Sequence, residues 1–243
     1  MRIDLFMTPQ EIPIFYTKGR RVVIVDVLRS CTTLSYALCA GAAQVIPVDS
    51  IEAAKQLLES LDRESSLLAG EQDGNDIDGF NLGNSPLDYE GKDFTGKTIV
   101  YVSDNGGPIM SRSMEALEKL LLAFVNMDAV VSYLQKARDE ELTIICSGTE
   151  GRFCMEDTVA AGMLLELLAP KTEDQLNDAA RAAWILYRAH SQDVPSVVRS
   201  SSHGRFLIEH DAEPDVEVAA QVSGLEIVPV AKDGRITAAG ADA

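Results

Sequence analysis

The stretch that most constrains this chain is residues 20–41, RRVVIVDVLRSCTTLSYALCAG. Val22, Val23, Ile24 and Val25 form a continuous β-branched run, the pattern of a strand buried on both faces. Asp26 ends the run and Arg29 follows three residues later. Ser30, Thr32 and Thr33 then open a segment in which Leu34, Ala37 and Leu38 recur at helical spacing, with Gly41 as its stop. A strand that passes into a helix through Asp, Arg and hydroxyls gathers a carboxylate, a guanidinium and free backbone N–H groups. That set suits a metal ion and a phosphate, because a helix N-terminus attracts anions. It equally describes an ion pair that organises a turn, with a threonine as the cap.

The unit repeats along the chain. Residues 44–48 read as a strand, ended by Asp49 and Ser50, with Glu52 placed as in a capping box and a helix over 51–61. A third strand, 66–70, ends at Glu71. The polar loop QDGNDIDGFNLGNSP follows; its length suggests function or disorder, and Phe80 and Leu82 favour order. Strands at 97–102, 120–125 and 142–146 come next. The first ends in the turn Ser103-Asp104-Asn105-Gly106-Gly107, and the last in the turn 147–153. Asn126 is expected to cap a helix over 127–138, and a further helix spans 156–168. Alternation of this kind predicts a three-layer α/β/α domain with a largely parallel or mixed sheet. Residues 171–237 form a mainly helical C-terminal part of the same single domain, 1–243. It has an amphipathic helix over 172–190, short helices at 194–200 and 203–209, and a closing hairpin of 225–230 with 235–237. In such sheets ligands collect at the carboxyl ends of strands, where Asp26, Glu71, Asn105 and Glu150 all lie.

Composition narrows the ligand. A formal charge of −17 argues against nucleic acid or an anionic membrane, whose binding draws on Lys and Arg. A small anionic substrate stays admissible, since one Arg and a divalent cation reverse the field of a cleft. The four cysteines show neither CxxC pairing nor zinc spacing. With no signal peptide and no apolar run of membrane-spanning length, a reduced cytoplasmic protein is expected.

Several chemistries are excluded by their motifs. The chain has no GxxxxGK[ST] loop, no G-x-S-x-G elbow, no HExxH and no G-x-G-x-x-G. Cys31 lacks the Cys-x5-Arg of thiol phosphatases. Asp26 is followed two residues on by Leu28 instead of the second Asp that an aspartate phosphatase needs. What remains is a set of carboxylates and amides. Mg²⁺ takes one or two carboxylates plus waters, and Asp26, Glu71, Glu150 and Asp157 are the candidates. Asn84 and Asn105 offer carbonyl oxygens or amide donors. Arg29 and Arg152 carry planar forks suited to phosphate or sulfonate oxygens, while Gly106-Gly107 and Gly148-Thr149 let the backbone approach a ligand. Asp157 also reads as a charge placed for the helix dipole, and Cys31 as small-residue packing.

Four segments together, VVIVDVLRSCTTL, LLAGEQDGNDIDGFNLGNSP, GKTIVYVSDNGG and ICSGTEGRFCMEDTVAAG, resemble the 2-phosphosulfolactate phosphatase family over most of residues 20–170. The ordered set D-x-L-R-x-x-T-T, G-F-x-L-G-N-S-P and G-T-x-G-x-F-x-x-x-D carries the likeness. The resemblance implies an α/β/α fold and a cytoplasmic, Mg²⁺-dependent hydrolase converting 2-phospho-3-sulfolactate to 3-sulfolactate, a step of coenzyme M synthesis in methanogens. It marks Asp26, Arg29, Thr32, Thr33, Glu71, Asn84, Ser85, Asn105, Gly106, Gly148, Thr149 and Asp157. The expected roles are catalysis by Asp26, Arg29 and Glu71, and metal binding by Asp26 with Glu71 or Asp157. Thr32, Thr33, Asn84, Ser85, Asn105, Gly106, Gly148, Thr149 and Arg152 are expected to bind substrate. Whether Asp26 or a water attacks phosphorus stays open. Where the family has Thr-Thr-Asn-Gly-Thr, this chain has Asp104 and Gly107 at two hydroxyl positions. That departure motivates two alternatives: a non-catalytic binder of a phosphorylated or sulfonated metabolite, or the same chemistry on another phospho-hydroxy acid. A homodimer is expected only from the frequency of two-fold assemblies.

Overall fold

The computed structural model describes residues 1–103, 113, 115–137, 140–169 and 175–240. Among these, ten strands form one sheet: β1 (Arg2–Phe6), β2 (Arg21–Val25), β3 (Gln44–Val48), β4 (Ser66–Gln72), β5 (Asn75–Asp76), β6 (Thr98–Val102), β7 (Glu118–Leu122), β8 (Glu141–Cys146), β9 (Pro229–Lys232) and β10 (Arg235–Ala238). Their order is β1-β8-β2-β7-β9-β10-β3-β6-β4-β5. Two parallel blocks, β1-β8-β2-β7 and β3-β6-β4, are joined by the antiparallel hairpin β9–β10 between β7 and β3. The helices are α1 (Ser30–Cys39), α2 (Ile51–Ser60), α3 (Met127–Ala137), α4 (Met155–Leu168), α5 (Asp178–His190), α6 (Val194–Ser200), α7 (Ser202–Glu209) and α8 (Glu213–Ala219).

The period of two in each strand sorts the core. Val22 and Ile24, Ile99 and Tyr101, Leu121 and Ile145 point to one face, where they meet Leu34, Ala37 and Leu38 of α1. Val23 and Val25, Leu120 and Leu122, Leu142 and Ile144 point to the other face, under α3, α4 and α5. On the second block the outward side chains Leu68, Val100 and Val102 pack beneath α2. A slip of one residue would exchange these sets. Each fully buried Val, Leu or Ile contributes about 1.5–3 kcal/mol, so the register is strongly specified. The expected mixed α/β/α arrangement is thus observed.

Helix α1 is buried from Cys31 to Leu38, because strands from both blocks face it. Its first turn and its body both reach the second block: Tyr101 Oη of β6 lies 3.3 Å from Ser30 Oγ, and Thr33 Oγ1 donates to the Asn84 carbonyl at 2.7 Å. The sheet therefore curls around α1, bringing the carboxyl ends of β2 and β4 together although six places separate them in strand order. Gly70 allows this at the end of β4. Its φ is +131°, and a Cβ there would stand 2.0 Å from the Val102 carbonyl oxygen.

Several boundaries differ from the sequence expectation. β1, unmarked in the sequence, pairs in parallel with β8. The helix expected over 172–190 is seen as α5, capped by the Asn177 side chain on Ala180 N. Asn126 stands directly before α3, but its side chain serves the 3-10 turn Phe124–Asn126 instead, accepting from Ala123 N and donating to Leu121 O. α8 was not anticipated, despite Pro214 and two acidic residues in its first turn. The C-terminal hairpin is present, shifted to β9–β10, and is inserted mid-sheet between β7 and β3. No described helix is long and apolar enough to cross a membrane.

Candidate active site

β2 delivers Asp26, 5% exposed, to the carboxyl edge of the sheet. Its Oδ1 accepts the Ser30 amide at 3.1 Å and its carbonyl accepts the Cys31 amide at 3.0 Å. These two amides at the start of α1 are thereby committed to Asp26. The anion-holding amides foreseen at this helix start are thus partly spent on the chain's own carboxylate. Burial, chiefly, raises the Asp26 carboxyl to about 6; the Ser147 hydroxyl and the Ser30 amide pull it down, while the charges of Glu71 and Glu156 push it further up.

β8 runs beside β2, and Ser147 N donates to Val25 O at 2.8 Å. The turn after β8 and the start of α4 supply Asp157. Its Oδ1 accepts Val27 N at 2.9 Å, and its Oδ2 accepts Ser147 Oγ at 3.0 Å and Gly148 N at 3.1 Å. Asp157 thus ties the ends of β2 and β8 to α4. Burial and the charges of Asp26 and Glu156 push it well above the ordinary carboxylate range, against the pull of the two amides. Glu156 is 2% exposed, its carboxyl is raised by burial, and its Oε2 takes no partner among the described residues. Glu71, 8% exposed at the end of β4, accepts the Gly74 amide at 2.8 Å.

The other expected residues divide into two groups. Thr32 and Thr33 are fully buried and their hydroxyls donate to Val27 O and Asn84 O; they fasten the loops on either side of α1. Asn84 Oδ1 accepts Tyr101 Oη at 2.5 Å, and burial keeps that phenol protonated. The fixed carbonyl orients the Asn84 amide. Ser85 Oγ accepts Leu87 N and donates to Asp215 Oδ1 at 2.6 Å. Arg29, 9% exposed, pairs with Asp215 through Nη1 at 2.8 Å. Gly148 has φ +65°, and a Cβ would stand 2.3 Å from the Arg152 carbonyl oxygen, so glycine permits the tight turn closed by Thr149 and Arg152. Glu150 and Arg152 sit exposed on that turn. Asn105 and Gly106, with Asp104 and Gly107, lie outside the described residues. Cys31 is buried and held as a thiol by that burial, in keeping with a packing role.

Glu156, Asp215, Tyr101 and His203 were missed. His203, at the start of α7, is pushed down to about 4, by burial first and then by the Arg29 charge, so it stays neutral beside the guanidinium. The Glu156-Asp157 pair could have been read as two site acids instead of one. Nothing local links Asp215 to Arg29.

Buried acids gather at the β2, β4 and α4 termini. Among the described residues no three Asp, Glu, His or Cys side chains form a metal cage, so Asp26, Glu71 and Asp157 do not converge as a trio of ligands. A hard cation here would rest on one or two carboxylates and water, as Mg²⁺ does. The acid-rich, thiolate-free donor set fits such an ion.

A family model for 2-phosphosulpholactate phosphatase matches residues 6–234. Curated relatives named "probable 2-phosphosulfolactate phosphatase" include one from Caldanaerobacter subterraneus, 35% identical over 89% of this chain and 90% of its own length. A second, from Thermotoga maritima, is 36% identical over 96% of each chain. A third, from Microcystis aeruginosa, is 31% identical over 97% of this chain and 98% of its own.

Proposed function

The chain belongs to the 2-phosphosulfolactate phosphatase family, and from that membership we infer that it is a phosphoric monoester hydrolase. It releases phosphate from 2-phospho-3-sulfolactate and leaves 3-sulfolactate. The observation that carries the reading is the buried Asp26, with its raised carboxyl, at a strand end three residues from Arg29.

We further propose that the enzyme depends on Mg²⁺, held by Asp26 with Glu71, since both oxygens of Asp157 are already taken by Val27, Ser147 and Gly148. Glu156, whose charge acts on Asp26, would add to the acidity of that site. When bound, the ion neutralises charge developing on the transferred phosphoryl group. Arg29 has only Nη1 engaged among the described residues, which leaves further donors for phosphate oxygens. Asn84, its carbonyl held by Tyr101, presents its amide to the carboxylate or sulfonate. Asp26 either attacks phosphorus or takes the proton of an attacking water. Along both routes the bridging oxygen leaves with the organic acid and a water oxygen ends on phosphate. We also place the enzyme in the cytoplasm, acting on a small anionic metabolite in coenzyme M or related sulfonate metabolism.

The test is phosphate release from 2-phospho-3-sulfolactate, 2-phospholactate and phosphoglycolate, each with and without Mg²⁺. Metal-dependent release favouring the sulfonate is expected. Release only from the other esters would keep the chemistry and discard the substrate. Tight binding of all three without release would point to the non-catalytic alternative.

A further inference from the structure

Asp215 lies on α8, far in sequence from the strand-end motifs, yet it is buried at 4% exposure between two of them. One carboxylate oxygen, Oδ2, takes Arg29 Nη1 at 2.8 Å, and the other, Oδ1, takes Ser85 Oγ at 2.6 Å. Arg29 follows β2, and Ser85 belongs to the loop that follows β4 and β5. These are the two walls that the curled sheet brings together. A guanidinium has five donors in a planar fork; fixing one nitrogen on a buried carboxylate sets the plane of the rest. Charge-assisted bonds of this length are directional, so the aim of Arg29 depends on where Asp215 stands. Among the described residues Asp215 is the carboxylate paired with Arg29. The Leu87 amide on Ser85 Oγ at 3.2 Å fixes the other end of the bridge.

We propose that Asp215 is a positioning residue. Its carboxylate clamps the Arg29 guanidinium and the Ser85 hydroxyl together, so that the remaining Arg29 donors face the phosphoryl group. The C-terminal helices are then a working part of the phosphate site. This rests on the reading that Arg29 grips phosphate.

The experiment is a double-mutant cycle on the full chain, reading kcat/KM for 2-phospho-3-sulfolactate and product inhibition by inorganic phosphate. Asp215→Asn keeps the shape and removes the charge. In the native background it raises the phosphate inhibition constant about tenfold and lowers kcat/KM by about 10–100-fold, in the range of a lost buried charge-assisted bond. In an Arg29→Ala background the same change alters either quantity by less than about twofold, since coupled residues do not add. Asp215→Glu keeps the charge one methylene further out and gives an intermediate rise. If the Asn variant does not fold, the Glu variant carries the same cycle. Equal losses in both backgrounds would overturn the proposal, because Asp215 would then act independently of Arg29. An Arg29→Ala variant with native phosphate inhibition would overturn the phosphate-grip reading itself. A normal Arg29→Ala defect with an inert Asp215→Asn would overturn only the positioning role.

Discussion

The starts of α1 and α4 each bring an aspartate to the same edge of the sheet, one strand apart, and the two are supported very differently. Asp26 accepts one backbone amide, from the turn that it opens. Asp157 accepts two backbone amides and a hydroxyl, from three separate positions on β2, β8 and their turns. A carboxylate so encircled holds architecture in place. Burial raises both carboxyls. What differs is how much of the chain each one ties down, and Asp26, bonded to the one amide, keeps more of its oxygens open to a proton, a cation or a substrate. Two residues alike in type, burial and position therefore divide the labour of the site.

The largest expected effect is on chemistry. Asp26→Asn should lower turnover by at least about a thousandfold, in keeping with loss of a group acting at the reacting phosphorus; assays with Mg²⁺ at saturation check this. Near-native turnover would remove the contrast with Asp157. Next in size is Asp157→Ala. It strands the Val27 and Gly148 amides and the Ser147 hydroxyl, and should cost about 3 kcal/mol, or about 10 °C in Tm, measured by calorimetry.

Metal and pH sharpen the same comparison. Asp26 binds its proton more tightly folded, at about 6, than unfolded, at 3.8. Without metal, this group's contribution is therefore most favourable below the unfolded value and is lost as pH rises from 3.8 to about 6, an effect on the order of 3 kcal/mol. A cation replaces the proton above that window. Mg²⁺ at a hundred times its Kd should add about 2.7 kcal/mol at pH 8 and much less at pH 5, and Asp26→Asn should abolish the difference in a melting experiment. The smallest effect is expected at Arg152, which is exposed on the turn after β8. Arg152→Ala should change stability by about 0.5 kcal/mol at most and kcat/KM by about twofold, measured under the same assay conditions.

Strand-end carboxylates were legible in the chain because β-branched runs such as 22–25 and 142–146 must be buried on both faces, and the first polar residue after each marks the edge. The roles within the site were harder to read. A Thr-Thr pair at a helix start looks like two ligand hydroxyls, yet Thr32 and Thr33 spend theirs on the carbonyls of Val27 and Asn84. An Arg beside an Asp looks like a local pair, yet Arg29 turns to Asp215. Such choices depend on how the sheet curls around α1, which brings Asn84 and Tyr101 to Ser30. The two blocks are also joined by a hairpin from the far end of the chain, and no local pattern records that insertion. β1 was hidden for a related reason. RIDLF carries a carboxylate inside a short apolar run, and Asp4 is accommodated by Tyr16, Arg20 and Arg2, which reach it.

The most direct measurement is to prepare Asp26→Asn and Asp157→Asn side by side and record Tm without metal at pH 8 and turnover with Mg²⁺ for each. The expected pattern is crossed. Asp26→Asn melts at or above the native temperature and is essentially inactive, while Asp157→Asn melts lower, with activity lost no further than its folded fraction and displaced turn require. A destabilised Asp26→Asn that keeps turnover, beside a stable Asp157→Asn that has none, would contradict the assignment and move the chemical role to α4.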